Sequence, residues 1–340
     1  MADSMTASAA GGAQAGAAGG STTLVRGFGW LMLSLLAVFL LNSILTFWIG
    51  FPGVAALFAG EAEGGGTALA IVQLVIYALA PAFTFWHVNR TSDVTLRADA
   101  QKVADFNAFL IRAAFWVVFL VGLGDAIMSF MRVEGLLDVY LGEELAGDLG
   151  RSAFRGLYFH TPLVVLGIAL GAVTRTLGFT WLALLVVVAE LLIVVCRFVF
   201  SYEQAFMADL VRFWYGALFL FASAYTLLED GHVRVDLFYA GMSQRGQGLV
   251  NSVGSILLGM SVCWTILIFG FSSANAVIVS PILVFEVTQA GFGMYVKYFM
   301  AGFLGVFAST MLIQFVSQLF DGVADRRGEP GHRESHAEPL

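Results

Sequence analysis

Long runs of apolar residues recur along the chain and are separated by short polar segments. A run of about 20 apolar residues is long enough for a helix to cross the hydrocarbon core of a bilayer. The pattern predicts eight spans, at residues 28–47, 68–86, 108–130, 158–173, 179–200, 211–228, 249–271 and 295–315. The fourth run is the weakest because it is short and carries Pro162 in its first turn, where proline is tolerated. Gly167 and Gly171 in that run predict close packing against another helix.

The composition agrees with a membrane protein. Of the 340 residues, 59% are hydrophobic and 12% are charged, whereas a soluble domain averages roughly 25% charged residues. The net charge of −7 argues against a nucleic-acid partner, because no basic face is available for phosphates. Cys196 and Cys263 both lie in apolar runs, which is typical of buried free thiols rather than of a disulfide or a metal site.

The two ends of the chain are polar or of low complexity. Residues 1–23 are mostly Ala, Gly, Ser and Thr, which predicts a disordered tail. The first apolar run is too long for the core of a signal peptide and no cleavage pattern follows it, so we interpret it as an uncleaved span. Residues 321–340 form a second polar tail.

The charges of the loops predict the orientation of the spans. Loops with Arg or Lys alternate with loops that have none, apart from the long acidic loop at residues 132–157, which also carries three Arg. The positive-inside rule then places both termini in the cytoplasm, which requires an even number of spans and supports the weak fourth one.

Motifs of known enzymes are missing from the sequence. It contains no H-E-x-x-H, no P-loop and no G-x-S-x-G motif. Only His332 and His336 share an i,i+4 spacing, and both lie in the polar tail. Membrane enzymes usually gather His, Asp or Glu at one membrane depth, and the sequence does not suggest such a gathering. We therefore expect no enzymatic activity, no metal and no cofactor.

Two carboxylates fall inside predicted spans. Asp125 lies in the outer half of the third run and Glu190 lies midway along the fifth. An ionised carboxylate at mid-membrane costs at least ~2.5 kcal/mol, so each must face protein, be paired or stay protonated. A contact with another helix or with a partner is favoured over proton coupling, because a relay needs a chain of such groups. Asn42 and Gln73 are expected to form hydrogen bonds between helices.

The densest polar segment, residues 228–239, reads L-E-D-G-H-V-R-V-D-L-F-Y and follows the sixth run. If it is helical, Asp230 with Arg234 and His232 with Asp236 form i,i+4 pairs. From these residues alone, an ordinary cytoplasmic turn and a docking element are equally good interpretations.

Residues 224–239, followed by Ser243 and Arg245, resemble the DctQ-type small membrane subunit of tripartite ATP-independent periplasmic (TRAP) transporters, in the branch labelled for mannitol or chloroaromatic compounds. Further similar stretches lie at residues 196–201, 285–288 and 295–298 and at Gln314. The resemblance covers residues 179–320. Asp209-Leu210 stands where the family usually has Glu-Leu, and residues 24–178 have no counterpart in short members of the family.

The apolar runs predict an all-α integral membrane protein of about eight helices, and the resemblance covers the last four of them. Residues 24–178 would form an additional membrane region of about four helices, and residues 179–320 a four-helix small-permease core. Such a subunit lies in the bacterial inner membrane and scaffolds a large permease, which carries the Na⁺ and substrate sites. A periplasmic substrate-binding protein delivers an organic acid. The resemblance and the chemistry of the residues together suggest a set of candidate partner-interface residues: Glu190, Arg197, Asp209, Asp230, His232, Arg234, Asp236, Glu286 and Lys297.

Two other functions remain open. A stand-alone transporter or channel would need polar groups that converge at the midplane. An integral membrane enzyme would need a catalytic cluster, for which the loop at residues 132–157 offers Glu143 and Glu144.

Overall fold

The fold is described by a computed structural model that covers residues 22–61, 63–175, 179–228, 238–239, 241–288 and 293–331. Within these residues the chain is helical and contains no strand. Of the predicted disordered tail at residues 1–23, only Thr22 and Thr23 are described, and they begin the first helix.

Eight helices among the described residues are long and apolar enough to cross a membrane. They are α1 (Thr22–Phe47), α2 (Gly65–Arg90), α3 (Leu96–Val133), α4 (Ser152–Val173), α5 (Phe179–Phe200), α6 (Ala205–Leu228), α7 (Gln244–Gly270) and α8 (Lys297–Arg327). Each coincides with one of the eight predicted runs, so the prediction of an all-α integral membrane protein is confirmed. Short helices lie at Val54–Ala59, Leu136–Leu141, Glu143–Leu149 and Val279–Leu283.

The helix α4 begins at Ser152, earlier than the apolar run suggested, and it contains one π-helical turn at Arg155–His160. Pro162 explains the irregular turn, because proline has no N–H and its ring collides with the carbonyl four residues earlier. The turn widens, and the backbone N–H of Thr161 donates to the carbonyl of Gly156, five residues before it.

The chain divides into two compact units. The first comprises Met1–Ala104, Val233–Ser261 and Leu312–Leu340, and the second comprises Asp105–His232 and Val262–Met311. In the first unit, the buried Arg26 side chain pairs with Asp99 at 2.6 Å and donates to the carbonyl of Thr91, also at 2.6 Å. These contacts tie α1 to the start of α3.

Gln73 forms the hydrogen bonds between segments that the sequence predicted. Its amide nitrogen donates to Thr46 at 2.8 Å, and its oxygen accepts from the backbone N–H of Gly53 at 2.9 Å. The same prediction for Asn42 is wrong, because its amide donates to the carbonyl of Val38 one turn earlier in its own helix.

The core of the second unit combines residues from α3 with residues from α5, α6 and α8. Its buried members include these aromatic or branched side chains: Ile111, Val121, Leu182, Phe213, Phe221 and Phe303. The helices α3 and α4, which belong to the predicted N-terminal membrane region, also pack closely on each other. A Cβ at Gly167 would lie 2.7 Å from the backbone nitrogen of Val117, and one at Gly171 would lie 2.6 Å from the Cα of Ala113. The predicted close packing at this glycine pair is therefore confirmed.

Candidate functional site

A buried cluster of ionisable groups lies in the second unit, where α3, α4 and the start of α8 meet. We call Asp125, Arg155, His160, Tyr295 and Tyr298 the Asp125 cluster. The first three side chains have at most 1% of their area exposed. The Nε2 atom of His160 lies 3.0 Å from Oδ1 of Asp125, and its Nδ1 atom lies 2.6 Å from the hydroxyl of Tyr298. The other carboxylate oxygen of Asp125 accepts from the backbone N–H of Tyr295 at 2.7 Å.

The π-helical turn of α4 positions two of these groups. It closes i→i+5 hydrogen bonds, so Arg155 and His160, which stand five residues apart, come onto one side of the helix. Both then reach the same carboxylate, since Nη1 of Arg155 lies 3.1 Å from Oδ1 of Asp125.

Small residues allow the close approach of the backbones around the cluster. A Cβ at Gly124, next to Asp125, would lie 3.0 Å from a methyl group of Leu163 on α4. A Cβ at Gly156, next to Arg155, would overlap the ring of Phe285. Larger side chains at either glycine would push apart the elements that carry the charged groups.

The hydrogen bonds favour one arrangement of protons. A neutral histidine has one donor nitrogen and one acceptor nitrogen. With Asp125 as a carboxylate, Nε2 of His160 donates to it, and Nδ1 accepts the hydroxyl proton of Tyr298. The order hydroxyl, imidazole, carboxylate is that of a catalytic triad, but Tyr298 is only 6% exposed and the other two residues are fully buried. The geometry therefore serves to hold α3, α4 and α8 together, and no reacting atom is open to a substrate.

A second carboxylate holds the same segment from α6. Asp209 is 5% exposed and accepts from the backbone N–H of Met294 at 3.1 Å and from the hydroxyl of Thr288 at 3.2 Å. From α3, Arg132 donates to the carbonyl of Gly293 at 2.8 Å. The residues that lead into α8 are thus bound by side chains from α3, α4 and α6.

The predicted partner-interface residues fall into three groups. Asp230, His232, Arg234 and Asp236 lie outside the described residues. Asp209 binds the segment before α8 through Thr288 and Met294, and Glu286 and Lys297 form a half-exposed ion pair at 2.5 Å. Glu190 and Arg197 lie on α5, and both are exposed.

Glu190 has no pairing side chain among the described residues, whereas Arg197 lies 3.4 Å from Glu203 in an exposed ion pair.

Outside the membrane spans, the hydroxyl of Tyr202 donates to Glu134 at 2.7 Å. Burial, followed by this hydrogen bond, raises the pKa of Tyr202 to about 12.

Sequence reasoning missed Arg155 and His160 as site residues. The expectation that no histidine and acidic residue gather at one depth is wrong for the described pair of His160 and Asp125. One signal was available: an earlier start of the fourth span would have placed Arg155 in the same helix as His160, which already lies in the predicted run. Pro162, two residues after His160, then marks the irregular turn that contains both Arg155 and His160.

The fold and the cluster thus define a multi-pass membrane protein without an accessible catalytic centre among its described residues. Residues 183–325 match the family model of the tripartite ATP-independent periplasmic transporters, DctQ component. The match covers less than half of the chain, so it shows a likeness of this part of the chain to the DctQ component of these transporters. Asp125, Arg155 and His160 lie outside it, whereas Tyr295 and Tyr298 lie within it. No curated protein and no solved structure matches the chain.

Proposed function

We propose that the chain is the small permease subunit of a TRAP transporter. In this role it scaffolds a large permease for Na⁺-coupled, binding-protein-dependent uptake of an organic acid across the bacterial inner membrane. The match over residues 183–325 supports the type of subunit. The exposure of Glu190 supports the further proposal that the chain binds a partner protein within the membrane.

Glu190 lies midway along α5, which is the least buried of the eight candidate spans. The helical spacing i, i+3, i+4, i+7 puts it on one face with Val187, Leu191 and Val194. These three side chains are 62%, 60% and 48% exposed. We call these four residues the Glu190 face.

Lipid is a poor neighbour for this face, because a carboxylate in the middle of a bilayer costs at least ~2.5 kcal/mol. No side chain among the described residues pairs with Glu190. A protein partner that covers the apolar residues and offers a hydrogen-bond donor to the carboxylate would remove the cost. The large permease is the partner that a DctQ-type subunit requires, so we place it on the Glu190 face.

The extra helices fit the same role as an enlarged scaffold. In the second unit, α3 shares a core with α6, and the Trp214 indole of α6 donates to the carbonyl of Val118 at 3.3 Å. We propose that both termini lie in the cytoplasm, as the loop charges suggest. The branch of the resemblance favours an oxo- or hydroxy-acid as substrate, and the residues that select it would lie on the partner chains.

The experiment is affinity purification of the tagged full chain after co-expression with a candidate large permease. The wild-type chain should retain the permease in mild detergent. Glu190→Leu would leave the partner's donor unpaired, at a cost on the order of 1–3 kcal/mol, and should lower the recovered permease about 5-fold or more.

Glu203→Gln is the matched control, because Glu203 is also an exposed carboxylate but lies outside the spans, in the loop between α5 and α6. It should leave the recovery unchanged. Equal recovery with Glu190→Leu and the wild-type chain would show that the permease does not bind to the Glu190 face. Failure of the wild-type chain to retain any permease would count against the subunit function itself.

A further inference from the structure

The surroundings of the Asp125 cluster contain more hydrogen-bond donors than acceptors. The side chain of Arg155 is 0% exposed. None of its three nitrogen atoms has a hydrogen-bond acceptor among the described residues. Its Nη1 atom lies 3.1 Å from Oδ1 of Asp125, but the two form an ion pair and not a hydrogen bond, because the N–H does not point towards that oxygen.

Two further side-chain donors, both on α3, are also buried without an acceptor among the described residues. The hydroxyl of Ser129 belongs to a fully buried residue and is unpartnered in the described part of the chain. Ser129 stands one helical turn after Asp125 and therefore on the same face of α3. The Nε atom of Arg132 is also buried and has no acceptor in the described part of the chain.

The two guanidinium groups lie against the same aromatic ring. The Cζ atom of Arg155 lies 4.5 Å from the centroid of Tyr295, and that of Arg132 lies 4.6 Å from it. Both cations thus lie against one ring, and Ser129 stands three residues before Arg132 on the same face of α3.

The local charges do not balance. Arg132 and Arg155 carry two positive charges and Asp125 carries one negative charge. The oxygens of Asp125 are already used by His160 and by the backbone of Tyr295. The neighbouring Glu134 is exposed and accepts the hydroxyl of Tyr202. One positive charge remains in excess, because Arg155 has Asp125 as its counter-ion whereas the part-buried Arg132 donates to the neutral carbonyl of Gly293.

We propose that Ser129, Arg132 and Arg155 form a binding site for one small monovalent anion. Water could fill the hydrogen bonds but would leave the charge uncompensated, and a cation would meet only donors. Arginine side chains and a hydroxyl are well suited to a halide or to a small carboxylate. Because Ser129 and Arg155 are fully enclosed, the site admits only an ion of a few atoms. This site goes beyond the transporter function proposed above and does not depend on it.

The test is the thermal unfolding of the purified full chain in detergent at constant ionic strength. Sodium gluconate, whose anion is too large for the site, is replaced stepwise by sodium chloride, bromide or acetate. The small anions should raise the midpoint temperature in a saturable way, as expected for a ligand that binds only the folded state. Stronger stabilisation by chloride and bromide identifies a halide site, and stronger stabilisation by acetate identifies a carboxylate site.

Ser129→Ala removes one hydrogen bond to the anion and should weaken the apparent affinity about tenfold, while Arg132→Gln should weaken it further. Arg151→Gln is the matched control, because Arg151 is 69% exposed and pairs with Asp148. It should leave the affinity unchanged. Equal stability in gluconate and in all small anions would overturn the proposal, as would the same anion dependence in the Ser129→Ala, Arg132→Gln and wild-type chains.

Discussion

Replacing Asp125 by leucine should destabilise the protein strongly, because it removes the counter-charge of a buried arginine. Arg155 and Asp125 have no exposed side-chain area. In such an environment, loss of one partner of an ion pair costs about 3–5 kcal/mol. The backbone N–H of Tyr295 and the ring of His160 lose their acceptor as well, and each lost hydrogen bond adds about 1 kcal/mol.

The double variant Asp125→Leu with Arg155→Met separates the charge from these hydrogen bonds. Apolar replacement of a whole buried ion pair is often neutral or stabilising. The second substitution should therefore restore most of the cost of the unpaired charge, and about 2 kcal/mol should remain for the two lost hydrogen bonds. The expected coupling energy between the two sites is about 2 kcal/mol or more.

The assay is reversible unfolding of the purified chain in mixed micelles with increasing SDS, followed by tryptophan fluorescence and circular dichroism. Asp148→Asn is the control, because its pair with Arg151 is largely exposed and should contribute less than about 1 kcal/mol. A cost of less than about 1 kcal/mol for Asp125→Leu would refute the account of the cluster, as would a double variant no more stable than Asp125→Leu alone.

Three further predictions concern packing, pH dependence and docking. Gly167→Leu should lower the free energy of unfolding by about 1–3 kcal/mol through overpacking, because a Cβ there lies 2.7 Å from the nitrogen of Val117. Gly254→Ala, at a position with open space around it, should be neutral in the same unfolding assay. The pKa of Tyr202 is raised to about 12 from 10.0, so its neutral phenol adds stability that is complete below pH 10 and is lost as the pH rises towards 12. Tyr202→Phe should abolish this loss in unfolding measured at pH 9 to 12. An unchanged pH profile of the variant would contradict the prediction. Arg234→Ala should reduce the yield of assembled complex more than Arg234→Lys. The reason is that lysine keeps the charge, but only arginine pairs a carboxylate through two donors. Uptake per assembled complex should keep its Na⁺ dependence, and a changed Na⁺ dependence at full yield would instead indicate that Arg234 takes part directly in the coupling of uptake to Na⁺.

The eight spans and the close packing of α4 against another helix could be predicted from the sequence, because both depend on local signals; that the other helix is α3 could not. The thickness of the bilayer fixes the length of an apolar run, and the spacing of Gly167 and Gly171 fixes a small face on one helix. Asp125 was also expected to face protein or to be paired, and the structure confirms both.

The partners of Asp125 could not be predicted in the same way. His160 and Tyr298 are 138 positions apart in the sequence, and only the packing of α4 against α8 brings them together. The wide turn before Pro162 is what aligns Arg155 with His160, and a pattern based on a regular helix does not contain it. Asp209 was chosen by family resemblance as a candidate for the partner interface, but its carboxylate binds the backbone of Met294 within the chain.

The most direct test of the central claim is transport by purified components in liposomes. The chain alone, the large permease alone and the two together are reconstituted and supplied with the periplasmic binding protein, labelled organic acid and an inward Na⁺ gradient. We predict uptake only when the chain and the large permease are both present. Na⁺-dependent uptake by this chain alone would contradict the account and would show that it is a transporter in its own right.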